Sequence, residues 1–496
     1  MSKLTPRRRR ELPPVLGQGV GPGALAGLVG GLVFGAATLK LGMISTIASV
    51  VRSDSAVIGL VVHLAIAAAV GAIFGLLVWH QRAGAGDTVL WGLTYGAFWW
   101  FLGPLTLLPV LLGRPPDWHV AEAQVQFPSL LGHLLYGAST GLTYALIRRA
   151  DLGRLTIGTL TRGIAAGLLA AWLLAAVLGA QHHPLAVTMR AQNGDITAVA
   201  SATVLLGMIA GAAYALLFPR VFETAGATLL KGTAYGFLFW VVGALTLLPL
   251  VEGAAPAWSA AQARGAFFTL PGYILYGAAL ALFDRWLASL GRILFTDAVG
   301  DDEEGGVGPR TLRAVAWGTL AGLVGGLLFT FVMLQVGFLS TVSRLVGSGS
   351  PLTGFFVHLG ISIVVGVSYG LLFRRQSYDA GSALGWGAAY GFFWWILGGI
   401  TLLPLWLGGA PQWSAAGAAA AFPSLVGHLA YGAVLGVTFF WLEARYSPWW
   451  VSRKQAEAAL ARRREEHLRS YAPAVWTLVL LIAFTIPLTL AGGGGG

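Results

Sequence analysis

The sequence predicts an all-α integral membrane protein: three tandem parallel four-helix bundles plus one extra transmembrane helix, thirteen spans in all, N-terminus inside and C-terminus outside. Three observations carry that prediction. Hydrophobic residues make up 56% of the 496 and charged ones only 10%, with a mean hydropathy of +0.74, where soluble domains hold roughly 25% charged residues. Apolar stretches of about 20 residues, the length that crosses a roughly 30 Å hydrocarbon core, recur along the chain. One phrase is also written three times, as YGAFWWFLGPLTLLP from Tyr95, YGFLFWVVGALTLLP from Tyr235 and YGFFWWILGGITLLP from Tyr390.

Residues 1–16 are a basic cytoplasmic N-terminus with Arg7 to Arg10. Behind such a cluster the first span invites reading as a signal peptide. However, GALAGLVGGLVF from Gly23 returns as GTLAGLVGGLLF from Gly318, so it is a structural helix. Spans begin near residues 19, 57, 88, 128, 161, 197, 229, 267, 313, 353, 383, 421 and 473. They group into a first four-helix repeat at 17–151, a second at 157–290 and a third at 312–447. The acidic, Gly-rich linker 291–311 separates the second from the third. Four is even, so each repeat starts and ends inside, unlike the inverted repeats of many secondary transporters. Residues 452–470 read as an amphipathic cytoplasmic helix, 472–491 as the thirteenth transmembrane helix, and 492–496 as a glycine tail that begins a flexible tether.

Cations orient the chain. Arg82, Arg148, Arg149, Arg154, Arg220, Lys231, Arg285, Arg292, Arg374, Arg375, Arg445 and the run Arg453 to Arg469 are assigned to alternate loops, which the positive-inside rule makes cytoplasmic. The net charge of +11 therefore reflects topology in a multi-pass cell membrane protein, a bacterial cytoplasmic membrane being the expected setting, and implies no nucleic-acid partner. The lipid bilayer is the implied partner, with other membrane-complex subunits beside it. Seventy glycines suit helices packed through small residues, and nineteen tryptophans suit interfacial belts. There is no cysteine, which excludes disulfides, iron–sulfur clusters, thiolate zinc sites and covalent c-type haem in this chain.

Within this apolar text FPSLLGHLLYG from Phe127 and FPSLVGHLAYG from Phe422 each carry a histidine. His63 and His133 in the first repeat, and His358 and His428 in the third, lie on the glycine faces of the second and fourth helices and point into the bundle. Each is six or seven residues past the outer boundary, roughly 9–10 Å deep at 1.5 Å per residue. The second repeat has Thr203 and Tyr273 at the corresponding positions, so it is degenerate and holds no histidine pair. Lys40, Glu252 and Asp284 are placed at helix ends, which leaves the histidines as the intramembrane ionisable groups, a functional hypothesis by default.

Three readings of the pairs stand side by side. Neutral imidazoles tie helices together through Thr106, Trp118, Tyr136 or each other. Alternatively, two imidazoles at equal depth axially ligate a non-covalent b-type haem, with facing glycines making room for the macrocycle. Or they hold a quinone or other polar headgroup together with Tyr136 and Tyr431, or a metal, although zinc normally takes three or four ligands. Trp99, Trp100, Trp394 and Trp395 are candidate walls of this site. The TLLP prolines, Pro109, Pro249 and Pro404, are expected to end or kink the third helices, with the threonine satisfying freed backbone groups. Trp118, Trp258 and Trp413 are expected to be interfacial anchors. No nucleotide loop, zinc-protease, serine-elbow or acid-pair motif appears.

The H-x-x-Y-G motif at His133 and His428, the G-x-x-x-G that follows it and the earlier V-H-L-x-I resemble the small bacterial four-helix membrane proteins of YagU-like type. The resemblance covers each repeat once and implies the four-helix fold alone. This chain fuses three units and adds a helix. The expectation is a polytopic membrane subunit without catalytic activity of its own, holding b-type haem or another redox ligand in repeats one and three. The alternatives are a structural or assembly scaffold with structural histidines, and a small-molecule permease.

Overall fold

A computed structural model describes residues 16–40, 42–81, 83–149, 156–179, 196–219, 224–251, 253–295, 307–373, 376, 379–445 and 472–491. The basic N-terminus through residue 15, most of the linker, the segment 452–470 and the glycine tail lie outside them, as do His182 and His183. Most of the described residues are helical, with no strand among them. The main helices are α1 (Gly21–Lys40), α2 (Ala56–Val78), α3 (Ala85–Leu111), α4 (Phe127–Ile147), α5 (Ile157–Gly179), α6 (Ile196–Leu217), α7 (Ala225–Leu247), α8 (Leu270–Phe295), α9 (Val307–Gln335), α10 (Pro351–Phe373), α11 (Ala380–Trp406), α12 (Phe422–Arg445) and α13 (Ala472–Ala491). Among the described residues ten helices are long and apolar enough to cross a membrane, and α5, α6 and α13 contribute shorter apolar stretches. The protein is thus an all-α, multi-pass membrane protein in contact with the lipid bilayer.

The chain divides into two compact units, Met1–Pro116 with Gly132–Asp151, and Asp117–Leu131 with Leu152–Gly496. In the first, glycine sets the pairing. A Cβ added at Gly23 or Gly27 of α1 would collide with the backbone of α2 at Gly71 and Ala67, and one added at Gly71 or Gly75 would collide with α1 in return. Gly92 and Gly96 of α3 abut Gly137 and His133 of α4 in the same way. The facing stripes therefore zip α1 to α2 and α3 to α4. This corrects the sequence-level picture, in which the stripes of α2 and α4 faced one another across a slot. The reason is reciprocity: a four-residue glycine ladder reaches backbone contact only against a second such ladder, and α1 supplies one to α2.

Tyrosines link the zipped pairs. Tyr95 Oη donates to the Val70 carbonyl at 2.6 Å, Tyr136 Oη to Ala67 at 2.8 Å and Tyr144 Oη to Gln18 at 2.7 Å. Away from these contacts α1 and α2 expose Leu25, Leu32, Val57 and Val61, the surface a lipid-facing helix presents.

The second unit repeats the scheme. Gly163 and Gly167 of α5 abut Gly211 and Gly207 of α6, Gly232 of α7 abuts Gly277 of α8, Gly318 of α9 abuts Gly366 of α10, and Gly387 of α11 abuts Gly432 of α12. Tyr276 Oη donates to Gly207 at 2.6 Å and Tyr431 Oη to Ser362 at 2.7 Å, the positions corresponding to Tyr136 and Ala67. Where Tyr144 latches the first unit, ion pairs join the first and fourth helices here: Arg162 Nε to Asp284 at 2.7 Å between α5 and α8, and Arg313 to both Glu443 oxygens at 3.1 and 2.7 Å between α9 and α12.

Three expectations are corrected. Asp284 is not at a helix end, because α8 runs on to Phe295 and leaves the carboxylate buried beside Arg162. Lys231 is not a loop cation; it lies inside α7, buried, with its ammonium 4.9 Å from the Phe218 ring centre. The TLLP prolines do not end the third helices either. Each helix widens into a π-helical segment, Gly103–Leu107, Trp240–Leu247 and Trp395–Leu402, and a further helical turn, Leu108–Leu111, Leu248–Val251 and Leu403–Trp406, carries the chain past the proline. The helix stops only where Gly113, Gly253 and Gly408 take positive φ and the next N–H returns to the proline carbonyl. The threonines do satisfy freed carbonyls: Thr106, Thr246 and Thr401 Oγ1 donate five residues back, to Phe101, Val241 and Ile396.

Helix zipping of this kind tolerates no side chain. Gly366→Val, whose first new atom meets the α9 backbone, should destabilise by about 1–3 kcal/mol or prevent folding. Gly360→Val on the same helix meets nothing within 4 Å and should leave thermal denaturation in detergent unchanged. Equal effects from the two substitutions would refute the pairing.

Candidate functional site

The buried histidines lead to one arrangement, built twice. In the first unit α2 carries His63 about two turns from its start at Ala56, α1 carries Phe34 opposite, and α4 carries His133. His63 Nε2 lies 2.9 Å from the Gly31 carbonyl oxygen of α1. A carbonyl only accepts, so this nitrogen bears the proton. The Phe34 ring stands between the imidazoles, 5.3 Å from His63 at 80° and 5.0 Å from His133 at 64°, each contact edge to face. In the second unit His358 Nε2 donates to the Gly326 carbonyl at 3.1 Å, and Phe329 stands 5.2 Å from His358 at 89° and 4.8 Å from His428 at 65°.

The histidine motif explains the phenyl ring. The residue before each fourth-helix histidine is glycine, Gly132 or Gly427, and a Cβ there would fall inside the Phe34 or Phe329 ring. The G-H pair is thus a seat for phenylalanine followed by the histidine edge. His428 turns its Nδ1 to the Ser424 carbonyl of its own helix at 2.8 Å, so that nitrogen is the protonated one. His63 and His358 are buried, whereas His133 and His428 are partly so.

The six residues expected to hold a ligand therefore separate. His63 with His133, and His358 with His428, are brought against one phenylalanine each, Phe34 and Phe329. Tyr136 and Tyr431 serve elsewhere: their hydroxyls bond a carbonyl of the second helix, and Tyr276 makes the same bond in the repeat without histidines. The residues present do not fit a haem between the imidazoles. Phe34 and Phe329 fill the space, two of the four nitrogens that would face iron donate to carbonyls, and the glycines expected to make room are closed on neighbouring backbone. Among the described residues no group of three or more His, Cys, Asp or Glu is placed to hold a metal ion.

The aromatic walls are distributed differently from expectation. Trp395 does border His428, since a Cβ on Gly399 would touch both, while its indole donates to the Ala421 carbonyl at 3.3 Å. Trp99 packs on Tyr95. Trp258 and Trp413 are not interfacial anchors. Both are buried, and their Nε1 atoms donate to Thr246 and Thr401 Oγ1 at 3.0 and 2.8 Å, pinning the following loop to the π segment; Trp118 is exposed.

Two features escaped the reading of the sequence. Phe34 and Phe329 complete each histidine pair, and the signal was available: the corresponding residue of the second repeat is Leu174, so phenylalanine and both histidines are exchanged together. There Tyr273 packs on Phe239, 5.3 Å between ring centres. The other is the Arg162–Asp284 pair, opposite charges at matching depth on the first and fourth helices of one repeat.

The fold and site define a polytopic helical membrane protein in which His63, His358, Tyr136, Tyr276 and Tyr431 tie one helix to another. No protein-family model, curated protein or solved structure matches the chain.

If phenylalanine is the centre of the cluster, Phe329→Ala should be its costliest substitution, about 3–5 kcal/mol. His358→Ala should cost about 1–2 kcal/mol, and Tyr431→Phe and Tyr276→Phe about 0.6 kcal/mol each. Equilibrium unfolding in mixed micelles measures all four; a His358 variant costing more than the Phe329 variant would reverse the hierarchy.

Proposed function

We propose that the protein is a structural scaffold, a subunit of a membrane complex without catalytic activity of its own. It is built from three parallel four-helix repeats and a thirteenth span, N-terminus inside and C-terminus outside, in a cell membrane. One observation carries the reading. The only repeated cluster of intramembrane ionisable groups among the described residues, the histidine pairs, is committed to backbone carbonyls and phenylalanine edges. A relay or redox site needs its nitrogens directed at a ligand; these fix α1 to α2 and α9 to α10. The haem-holding reading favoured by the sequence is not carried forward, because phenylalanine fills the slot it requires. A permease reading gains no polar pathway from the ion pairs, which join neighbouring helices within a repeat.

The test is spectroscopic and biochemical together. Purified protein should show no Soret band, and the His133→Gln, His428→Gln double variant should run in the same high-mass assembly as the wild type on native gels of mildly solubilised membranes. A Soret band abolished by His428→Gln would restore the redox subunit, and migration as a lone 51.9 kDa chain in its micelle would sink the scaffold.

Topology is testable separately, because the cysteine-free chain is a ready background for single cysteines. His80 and His119 are both exposed. An impermeant maleimide should label His119→Cys in intact cells and His80→Cys only after permeabilisation; the opposite pattern would invert every span.

A further inference from the structure

The last helix is not built like a membrane anchor. Val475, Leu478, Val479, Ile482, Ala483, Ile486 and Leu490 of α13 are buried, and none of its described side chains is exposed. A peripheral span such as α10 instead leaves Leu352, Phe356 and Val364 largely exposed. Five elements of the second unit enclose α13: the third helices α7 and α11, and the short helices Val120–Val125, Ala260–Ala266 and Ala415–Ala420, which occupy the same place in the three repeats.

Two substitutions private to one repeat fit α13 into this setting. At the position held by Leu90 in the first repeat and Leu230 in the second, both buried, the third repeat has Gly385. A Cβ there would penetrate the Trp476 indole, 2.5 Å from its nearest ring atom, so the missing leucine is the space Trp476 fills. That fixes rotation. At the position of Gln124 and Ala419 the second repeat has Arg264, whose Nε donates to the Leu490 carbonyl at 2.7 Å. This carbonyl is in the last turn of α13, where no intrahelical partner exists and a cation is favoured. That fixes depth. The third repeat lacks the leucine that the other two share, and the second carries arginine where the others have glutamine and alanine, and each departure meets a different end of one helix.

We propose that α13 is a docked ligand of the repeats: α7, α11 and the three short helices form a receptor surface for one apolar helix with a tryptophan knob, and hold it without need of the covalent link through residues 446–471. Its partner class is therefore a single membrane-embedded helix, here the chain's own, packed on the second and third repeats together. This is independent of the scaffold reading, since it concerns how the chain is closed and would hold for a permease equally.

The experiment uses the full chain. A specific protease site is placed within residues 452–470, the protein is folded, purified in mild detergent and cleaved, and retention of the C-terminal fragment is followed by size exclusion. The fragment should stay with the body. Trp476→Ala should make it leave at least about tenfold faster. Gly385→Leu should expel it, and Gly385→Leu with Trp476→Ala should retain it better than Gly385→Leu alone, because the new leucine then enters the vacated space. Loss of the wild-type fragment on cleavage would overturn the proposal, as would wild-type retention in the Trp476→Ala variant. If Gly385→Leu yields no folded protein, Trp476→Ala decides alone, since removing atoms cannot clash.

Discussion

Everything in this fold rests on backbone meeting backbone at glycine. In lipid the apolar side chains of a helix gain nothing by leaving the solvent, so association depends on close packing and on polar ties. Gly23, Gly27, Gly71 and Gly75 bring α1 and α2 together until no Cβ fits between them, and Gly92, Gly96 and Gly137 do the same for α3 and α4. Only at that separation do the tyrosine hydroxyls of one helix reach carbonyls of another. Tyr136 spans to Ala67 at 2.8 Å because α4 and α2 are each already zipped to a neighbour. A bulkier ladder would move the carbonyls out of range and leave buried hydroxyls unpaired, at several kcal/mol each in an apolar medium.

The same economy governs the other polar side chains. His63 and His358, Tyr95, Tyr136, Tyr276 and Tyr431, and the π-segment threonines address main-chain carbonyls, while the indoles of Trp258 and Trp413 address two of those threonines. A helix carbonyl has a second lone pair after its own hydrogen bond, so it is the most abundant acceptor a bilayer-embedded bundle possesses. Using it requires no matching polar residue on the neighbour. One tyrosine can thus be reused in three repeats although the carbonyl's owner changes from Ala67 to Gly207 to Ser362.

What was legible in the sequence followed from this physics unevenly. The helices were plain, since long apolar runs are unambiguous in a chain with so few charges. Glycine spacing showed which faces were narrow but not which faces met: the ladder on α2 looks the same whether α1 or α4 lies against it, and that choice decided whether a ligand slot existed. His63 and His133 both reach Phe34, which passed in the sequence as one more apolar residue. Asp284 and Lys231 were misplaced for another reason. A charge near the end of an apolar run looks terminal, and only the continuation of α8 to Phe295 and the ring of Phe218 show these groups to be interior. Of the two expectations for the TLLP prolines, an end to the helix is not met, since helical turns continue past Pro109, Pro249 and Pro404.

Fusion of repeats gives the departures from sameness their meaning. In an assembly of identical chains Gly385 would appear at every copy, and two of the three glycines would face no tryptophan and leave voids. In a single chain the third repeat alone can give up its leucine, and the second alone can place Arg264 against Leu490. The second repeat has likewise exchanged the His–Phe–His cluster at one end of its helices for Asp284, Arg162 and Lys231 toward the other. A buried ion pair costs desolvation that a hydrophobic replacement avoids, so it suits one specialised place better than three. Gly385 and Arg264 stand where the recurring stretches of sequence differ from one another, and α13 is where the two converge.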